Sequence, residues 1–169
     1  MKKIVLVLIA TLAMNENIVA NEYKVMSNGI TLGVQQIDMG GDIDNIISYE
    51  LGFYQILGNS NKIKYGWEWN IGYTDDDSSA SSEFIGDISG VLGYAIQPNL
   101  DIYGTIGYGM QTFGIITDAT GLVYGLGLRY GMSEKIGIAL SYKKYNLDYE
   151  YFNVNYNSNA IGVKLDFAF

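Results

Sequence analysis

The stretch Ile63-Lys64-Tyr65-Gly66-Trp67-Glu68-Trp69-Asn70-Ile71-Gly72-Tyr73 alternates without a break. Ile63, Tyr65, Trp67, Trp69, Ile71 and Tyr73 point one way. Lys64, Gly66, Glu68, Asn70 and Gly72 point the other. A period of two belongs to a β-strand with two unlike faces, because successive side chains leave opposite sides of the pleat. The same pattern recurs over Leu122–Met132, over Ile136–Lys143 and over Ile161–Phe169. Four less regular runs complete the set, near Met26–Ile37, Ile46–Leu57, Phe84–Ile96 and Leu100–Met110. Each run is about long enough to cross a bilayer core at a tilt, which takes about 9–11 residues.

The connections alternate as regularly as the strands. Short turns are expected near Gly58–Lys62, Gln97–Asn99 and Ser133–Lys135. Long ones are expected near Asp38–Asn45, Thr74–Glu83, Gln111–Thr120 and Asp148–Asn155. Outer-membrane barrels place short turns in the periplasm and longer loops outside. The expected fold is therefore all-β, an eight-stranded antiparallel up-and-down transmembrane β-barrel in the bacterial outer membrane. Pro98 falls in a turn, where it removes no ladder hydrogen bond.

The two faces decide which side meets lipid. One is large and aromatic; the other is mostly Gly, Ser and Ala with a few charges. A face of small residues makes a poor soluble exterior and suits the crowded interior of a narrow barrel. Tyr73, Tyr94, Tyr130 and Tyr142 are placed to form girdles at headgroup level. A soluble barrel of the lipocalin kind is the alternative and would reverse the two faces.

Lys2, Lys3 and the apolar run Ile4–Ala13 read as a signal peptide, with residues 1–20 removed after Ala20 and the barrel domain over 21–169. An uncleaved anchor is the alternative, although the run is shorter than the roughly 20 residues a spanning helix needs. Loss of Lys2, Lys3 and Glu16 makes the formal charge of −8 one unit more negative. Such a chain repels phosphates, so nucleic acid is not an expected partner. There is no cysteine, hence no disulfide and no thiolate metal site.

With the small-residue face inward, the lumen receives Glu50, Glu68, Asp87, Asp101 and Asp166 against Lys64, Arg129, Lys143 and Lys164. Asp101 and Arg129, on adjacent strands near the periplasmic end, are expected to pair, because an unpaired buried charge is costly. Glu50 and Glu68 could serve as a carboxylate pair for acid–base chemistry or simply as ion-paired lumen charges. Gly125, facing inward, is expected to tolerate serine. The long-loop side holds Asp38, Asp42, Asp44, Asp75, Asp76, Asp77, Glu83, Asp118, Asp148 and Glu150 against Lys144 alone. Asp75, Asp76, Asp77 and Glu83 either bind calcium or magnesium weakly, with Asp42 and Asp44 as neighbours, or form a solvated acidic face. No other cofactor is expected.

Gly162-Val163-Lys164-Leu165-Asp166-Phe167-Ala168-Phe169 resembles the C-terminal signal of outer-membrane barrels. The chain as a whole resembles the small eight-stranded group that includes the opacity proteins, OmpX and the OmpA membrane domain. That resemblance implies that the barrel-assembly machinery reads Gly162, Leu165, Phe167 and Phe169. It implies as partners outer-membrane lipid, lipopolysaccharide and a host or matrix surface ligand. Barrel enzymes of similar or larger size, such as lipid A deacylases and omptin proteases, rely on histidine. Histidine is absent here, so no enzymatic activity is expected. Two functions stay open. One is a structural or surface-interaction barrel serving adhesion or envelope integrity. The other is a narrow porin-like channel, with water-filled gaps left by Gly66, Gly72, Gly125, Gly127, Gly131 and Gly137.

Overall fold

In the computed structural model, residues 28–38, 46–60, 62–74, 83–113, 117–149 and 154–169 are described. Eight strands close into one barrel: β1 (Asn28–Asp38), β2 (Ile46–Ser60), β3 (Ile63–Thr74), β4 (Glu83–Gln97), β5 (Leu100–Phe113), β6 (Thr117–Gly131), β7 (Ile136–Tyr149) and β8 (Val154–Ala168). Every strand pairs antiparallel with its neighbours in sequence. β1 closes on β8 from Gly29↔Ala168 to Asp38↔Asn159. Closure satisfies the backbone of both terminal strands, which an open edge in lipid could not do.

Alternation in sequence becomes alternation in burial. Along β3 the odd-numbered residues from Ile63 face out, and Lys64, Glu68, Asn70, Gly72 and Thr74 are buried. Leu92, Ile106 and Leu126 are each more than 60 % exposed on the outside. More than two dozen other large apolar side chains share that outer surface. Water does not tolerate an apolar belt of that extent on a soluble protein. The polar face is inside, so the soluble alternative is overturned. Of the four expected girdle tyrosines, Tyr73, Tyr94 and Tyr142 are exposed on the outer face, and Tyr130 is half-buried.

The strands run further than their hydropathy suggests. β5 reaches Phe113 and β6 starts at Thr117; β7 reaches Tyr149 and β8 starts at Val154. The connection expected over Gln111–Thr120 is thus largely strand, and both ends of the one expected over Asp148–Asn155 are strand. Fourteen residues in β7, at about 3.4 Å each and a tilt of about 40°, rise roughly 36 Å, against an apolar band about 25 Å tall. Beyond that band backbone pairing continues, but the outer face has no reason to be apolar. Hydropathy therefore loses the strand before the hydrogen bonds do. On the opposite side the turns are tight, as expected. Between β6 and β7 the hydroxyl oxygen of Ser133 accepts from the backbone N–H of Ile136 at 3.0 Å.

Among the described residues the register shifts twice, between Ala95 and Gln97 of β4 against β5 and between Ile56 and Gly58 of β2 against β3. The extra residue is a β-bulge, which sharpens the local twist. Beside it, a Cβ on Gly66 would strike the backbone carbonyl of Gln55, so only glycine fits. The signal-peptide reading of residues 1–20, and Met26 at the expected start of β1, lie outside the described residues.

Candidate functional site

The interior of the barrel is built in layers by parity. Lumenal residues are the even-numbered ones of β3 and the odd-numbered ones of β5, β6 and β7. All nine expected lumen charges (Glu50, Lys64, Glu68, Asp87, Asp101, Arg129, Lys143, Lys164 and Asp166) are 6 % exposed or less.

Near the short-turn end, Lys64 of β3 meets Asp101 of β5 at 2.8 Å, contacting both carboxylate oxygens. Arg129 of β6 donates from Nε to Asp166 of β8 at 2.8 Å. The expected Asp101–Arg129 pair does not form, although the two residues are in register across β5 and β6. The Arg129 guanidinium lies 4.1 Å from the Tyr54 ring centroid and 5.0 Å from that of Tyr103. This cation–π seat aims it across the lumen. In so narrow a barrel, long basic side chains reach past the neighbouring strand to the next one.

The middle layer is a single network. Lys143 bridges Glu68 and Asp87, each at 2.8 Å. Asp87 also accepts from Ser89 at 3.0 Å, Tyr145 at 3.1 Å and Asn70 at 3.3 Å. Lys164 pairs with Glu50 and donates to the Asn70 carbonyl oxygen at 2.9 Å. Glu50 and Glu68 therefore each face a lysine rather than each other. The arrangement is that of ion-paired lumen charges.

Above this network, towards the long-loop side, an apolar cluster shares the lumen with the buried polar side chains of Ser48, Thr74, Gln111 and Ser158. Ile37, Ile85, Ala119, Val123, Tyr145, Leu147 and Ala160 form one buried cluster, with Ile46 packed against it. Residue-by-residue parity shows that these side chains point inward, but not that they converge. Three tyrosines that the sequence analysis does not place in the lumen also lie there: Tyr54, Tyr103 and Tyr145, all buried. Their parity was the available signal, since Asp101 and Tyr103, like Lys143 and Tyr145, share a face.

Of the glycines expected to leave gaps, Gly66, Gly72, Gly125 and Gly127 are sockets, whereas a Cβ on Gly131 would meet nothing closer than 3.9 Å. A Cβ on Gly127 would run into the Tyr103 ring. One on Gly125 would meet the Tyr142 carbonyl, with Lys143 Cγ at 3.0 Å and Thr105 Oγ1 at 3.1 Å. The expected tolerance of serine at Gly125 is therefore corrected: the residue faces inward, but into packed atoms.

On the terminal strand, Leu165, Phe167 and Phe169 face outward, whereas Gly162 is buried. The Phe169 ring lies 6.3 Å from that of Phe53 on β2, which in turn lies 5.3 Å from Trp67. Asp42, Asp44, Asp75, Asp76 and Asp77 and the side chain of Glu83 lie outside the described residues.

Solved structures of other proteins share this architecture. The attachment invasion locus protein Ail of Yersinia pestis superposes with a TM-score of 0.57 at 16 % identity, over 85 % of this chain and 99 % of that one. Neisserial surface protein A does so with 0.59 at 10 % identity, over 84 % and 97 %. The N-terminal barrel domain of Pseudomonas aeruginosa OprF gives 0.56 at 14 %, over 84 % and 99 %. A search of curated protein sequences gave no match. Residues 4–169 match the outer membrane protein beta-barrel domain. With its closed eight-stranded barrel, apolar exterior and charged interior, the chain belongs to that family and resides in the bacterial outer membrane.

Proposed function

We propose that this protein is a closed, non-conducting barrel that works through its extracellular surface, in adhesion or envelope integrity. The observation that carries this reading is the filled lumen. Ion pairs and tyrosine rings occupy its short-turn end and middle, and an apolar cluster occupies its upper part. An ion crossing it would have to break buried pairs and then displace packed side chains of the upper cluster, both of which are costly steps. The chemistry left to the molecule lies on its loops, rim and lipid-facing wall. Gly162, Leu165, Phe167 and Phe169 serve its delivery, as the segment read by the barrel-assembly machinery.

One Ail structure was solved in complex with the heparin analogue sucrose octasulfate. For the acidic loops of this chain a soluble polyanion is the wrong ligand. Its long-loop side carries ten acids to one base, which favours a basic or neutral host or matrix surface.

Planar-bilayer recording tests the closed lumen. The reconstituted wild-type barrel should leave the current at baseline in 1 M salt (roughly a 3 Å Debye length, so that surface charge plays no part). Regular single-channel steps would sink this reading and favour a narrow solute pore.

A further inference from the structure

The apolar wall is not equally tall all round the barrel. On β3 six outward residues from Ile63 to Tyr73 are apolar. On β1 there are three, Ile30, Leu32 and Val34. At about 3.4 Å per residue and a tilt of about 40°, six such residues cover roughly 31 Å and three roughly 16 Å, against a band about 25 Å tall. The shortfall lies partly on the long-loop side and spreads to the neighbouring strands. One hydrogen-bonded row leaves β1 at Asn28, passes Trp67 of β3 and Ile106 of β5, and returns to β1 at Asp38, ten residues further on. Rows therefore climb towards the long loops by about one and a quarter residues per strand. With that climb allowed for, Lys144 of β7, Asn159 of β8 and Gln36 of β1 stand level with Tyr49, Tyr73 and Leu122, which are exposed on β2, β3 and β6. Three adjacent strands are thus polar at a height where the rest of the wall is apolar. A wall shorter than the bilayer is relieved either by thinning of the lipid or by association with another protein face.

Charge on the same three strands selects the second course. Lys144, Asn159 and Asp38 follow one another in a single row, on β7, β8 and β1. Asp38 is exposed, and Lys144 makes no ion pair among the described residues. A cation, an amide and an anion in that order are complementary to their own copy. A two-fold axis along the membrane normal through Asn159 turns Lys144 of each barrel towards Asp38 of the other, as an isologous interface requires. Asp38 stands about 7 Å higher than Lys144, a step that the long lysine stem spans. At the axis Asn159 meets Asn159, and an amide both donates and accepts. Any other orientation sets one acidic rim against another, which is repulsive.

We infer that β7, β8 and β1 form an interface with a second copy of this chain. The short apolar face is then covered by its own equivalent, and the one base of the long-loop side finds a carboxylate.

Disulfide trapping and energy transfer test it, with the refolded barrel in phosphatidylcholine vesicles. The chain has no cysteine, so Asn159→Cys should cross-link copy to copy at the axis. Met110→Cys, at the same level on β5, should not. With a dye on Glu134→Cys, at an exposed short turn, energy transfer should saturate with protein density. It should be stronger in thick dioleoyl than in thin dimyristoyl bilayers, because mismatch grows with thickness. Adding Lys144→Glu or Asp38→Lys should each weaken association about tenfold, since like charges then meet at two symmetric contacts. The double variant Lys144→Glu/Asp38→Lys should restore it. No saturating transfer with the otherwise unaltered barrel would overturn the interface and leave thinned lipid as the relief. Unchanged association in both single variants, or a folded double variant without rescue, would overturn it as well. The heat-modifiable gel shift reports folding. Should a charge variant fail to fold, the trapping pattern decides alone: equal yields at Asn159→Cys and Met110→Cys mean random collision and overturn the interface.

Discussion

Replacing Lys143 by methionine should lower the unfolding free energy by about 3–5 kcal/mol, the cost of leaving buried charge uncompensated. Lys143 is 3 % exposed and bridges Glu68 and Asp87 at 2.8 Å each. Its loss leaves two carboxylates facing each other inside the barrel, with only neutral donors around Asp87. Lys64→Met should cost less, because it strands Asp101 alone. Adding Glu68→Gln and Asp87→Asn to Lys143→Met should recover much of the loss, since a neutral network no longer needs the cation. Urea unfolding in lipid vesicles, followed by the heat-modifiable gel shift, measures all three. A cost below about 1 kcal/mol for Lys143→Met, the range of a solvent-exposed pair, would mean that water solvates the lumen, and the closed-barrel reading would fall with it.

The second large effect is on the opposite face. Leu126 points into lipid and is 64 % exposed. Leu126→Arg should cost about 2–4 kcal/mol, the range for a basic residue at the bilayer midplane. Leu126→Ile keeps the apolar contact and should change stability by less than about 1.5 kcal/mol. The same unfolding assay reads both. If the arginine were tolerated as well as the isoleucine, Leu126 would not face hydrocarbon. The neighbouring Gly125 is no neutral control, because a Cβ there meets the Tyr142 carbonyl.

Much of this architecture was legible in the sequence because a barrel wall obeys one simple rule. A strand with lipid on one side and packed polar groups on the other must alternate, so Ile63–Tyr73 declares both faces at once. Parity alone sends Lys64, Glu68 and Arg129 inward. Parity does not say which charges meet. The curvature of a narrow barrel lets Lys64 reach β5 and Arg129 reach β8 past an intervening strand. Tyrosine misleads for a different reason: it suits both the headgroup girdle and a filled lumen. Tyr103 could be placed inside only by its phase with Asp101, and its room is made by a glycine on another strand, Gly127. On the long-loop side the ends expected for β1 to β4 fall within one residue of the observed ones, whereas β5 to β8 run several residues further. Asn146 and Asn157 keep the backbone pairing of β7 and β8 but lose the hydropathy pattern that announces it.

All of this rests on which face meets lipid, and the chain carries its own reporters. Its two tryptophans, Trp67 and Trp69, both lie on the outer face of β3; Trp69 is exposed, and the indole of Trp67 donates to Gln55 at 3.0 Å. Fluorescence of the unmodified protein in vesicles can be quenched from either side, by brominated acyl chains or by aqueous iodide. With the apolar face in lipid and the charged face closing the lumen, bromolipid should quench strongly and iodide hardly at all. Strong quenching by iodide with none by bromolipid would contradict the account, because it would put both indoles in water and the charged face elsewhere.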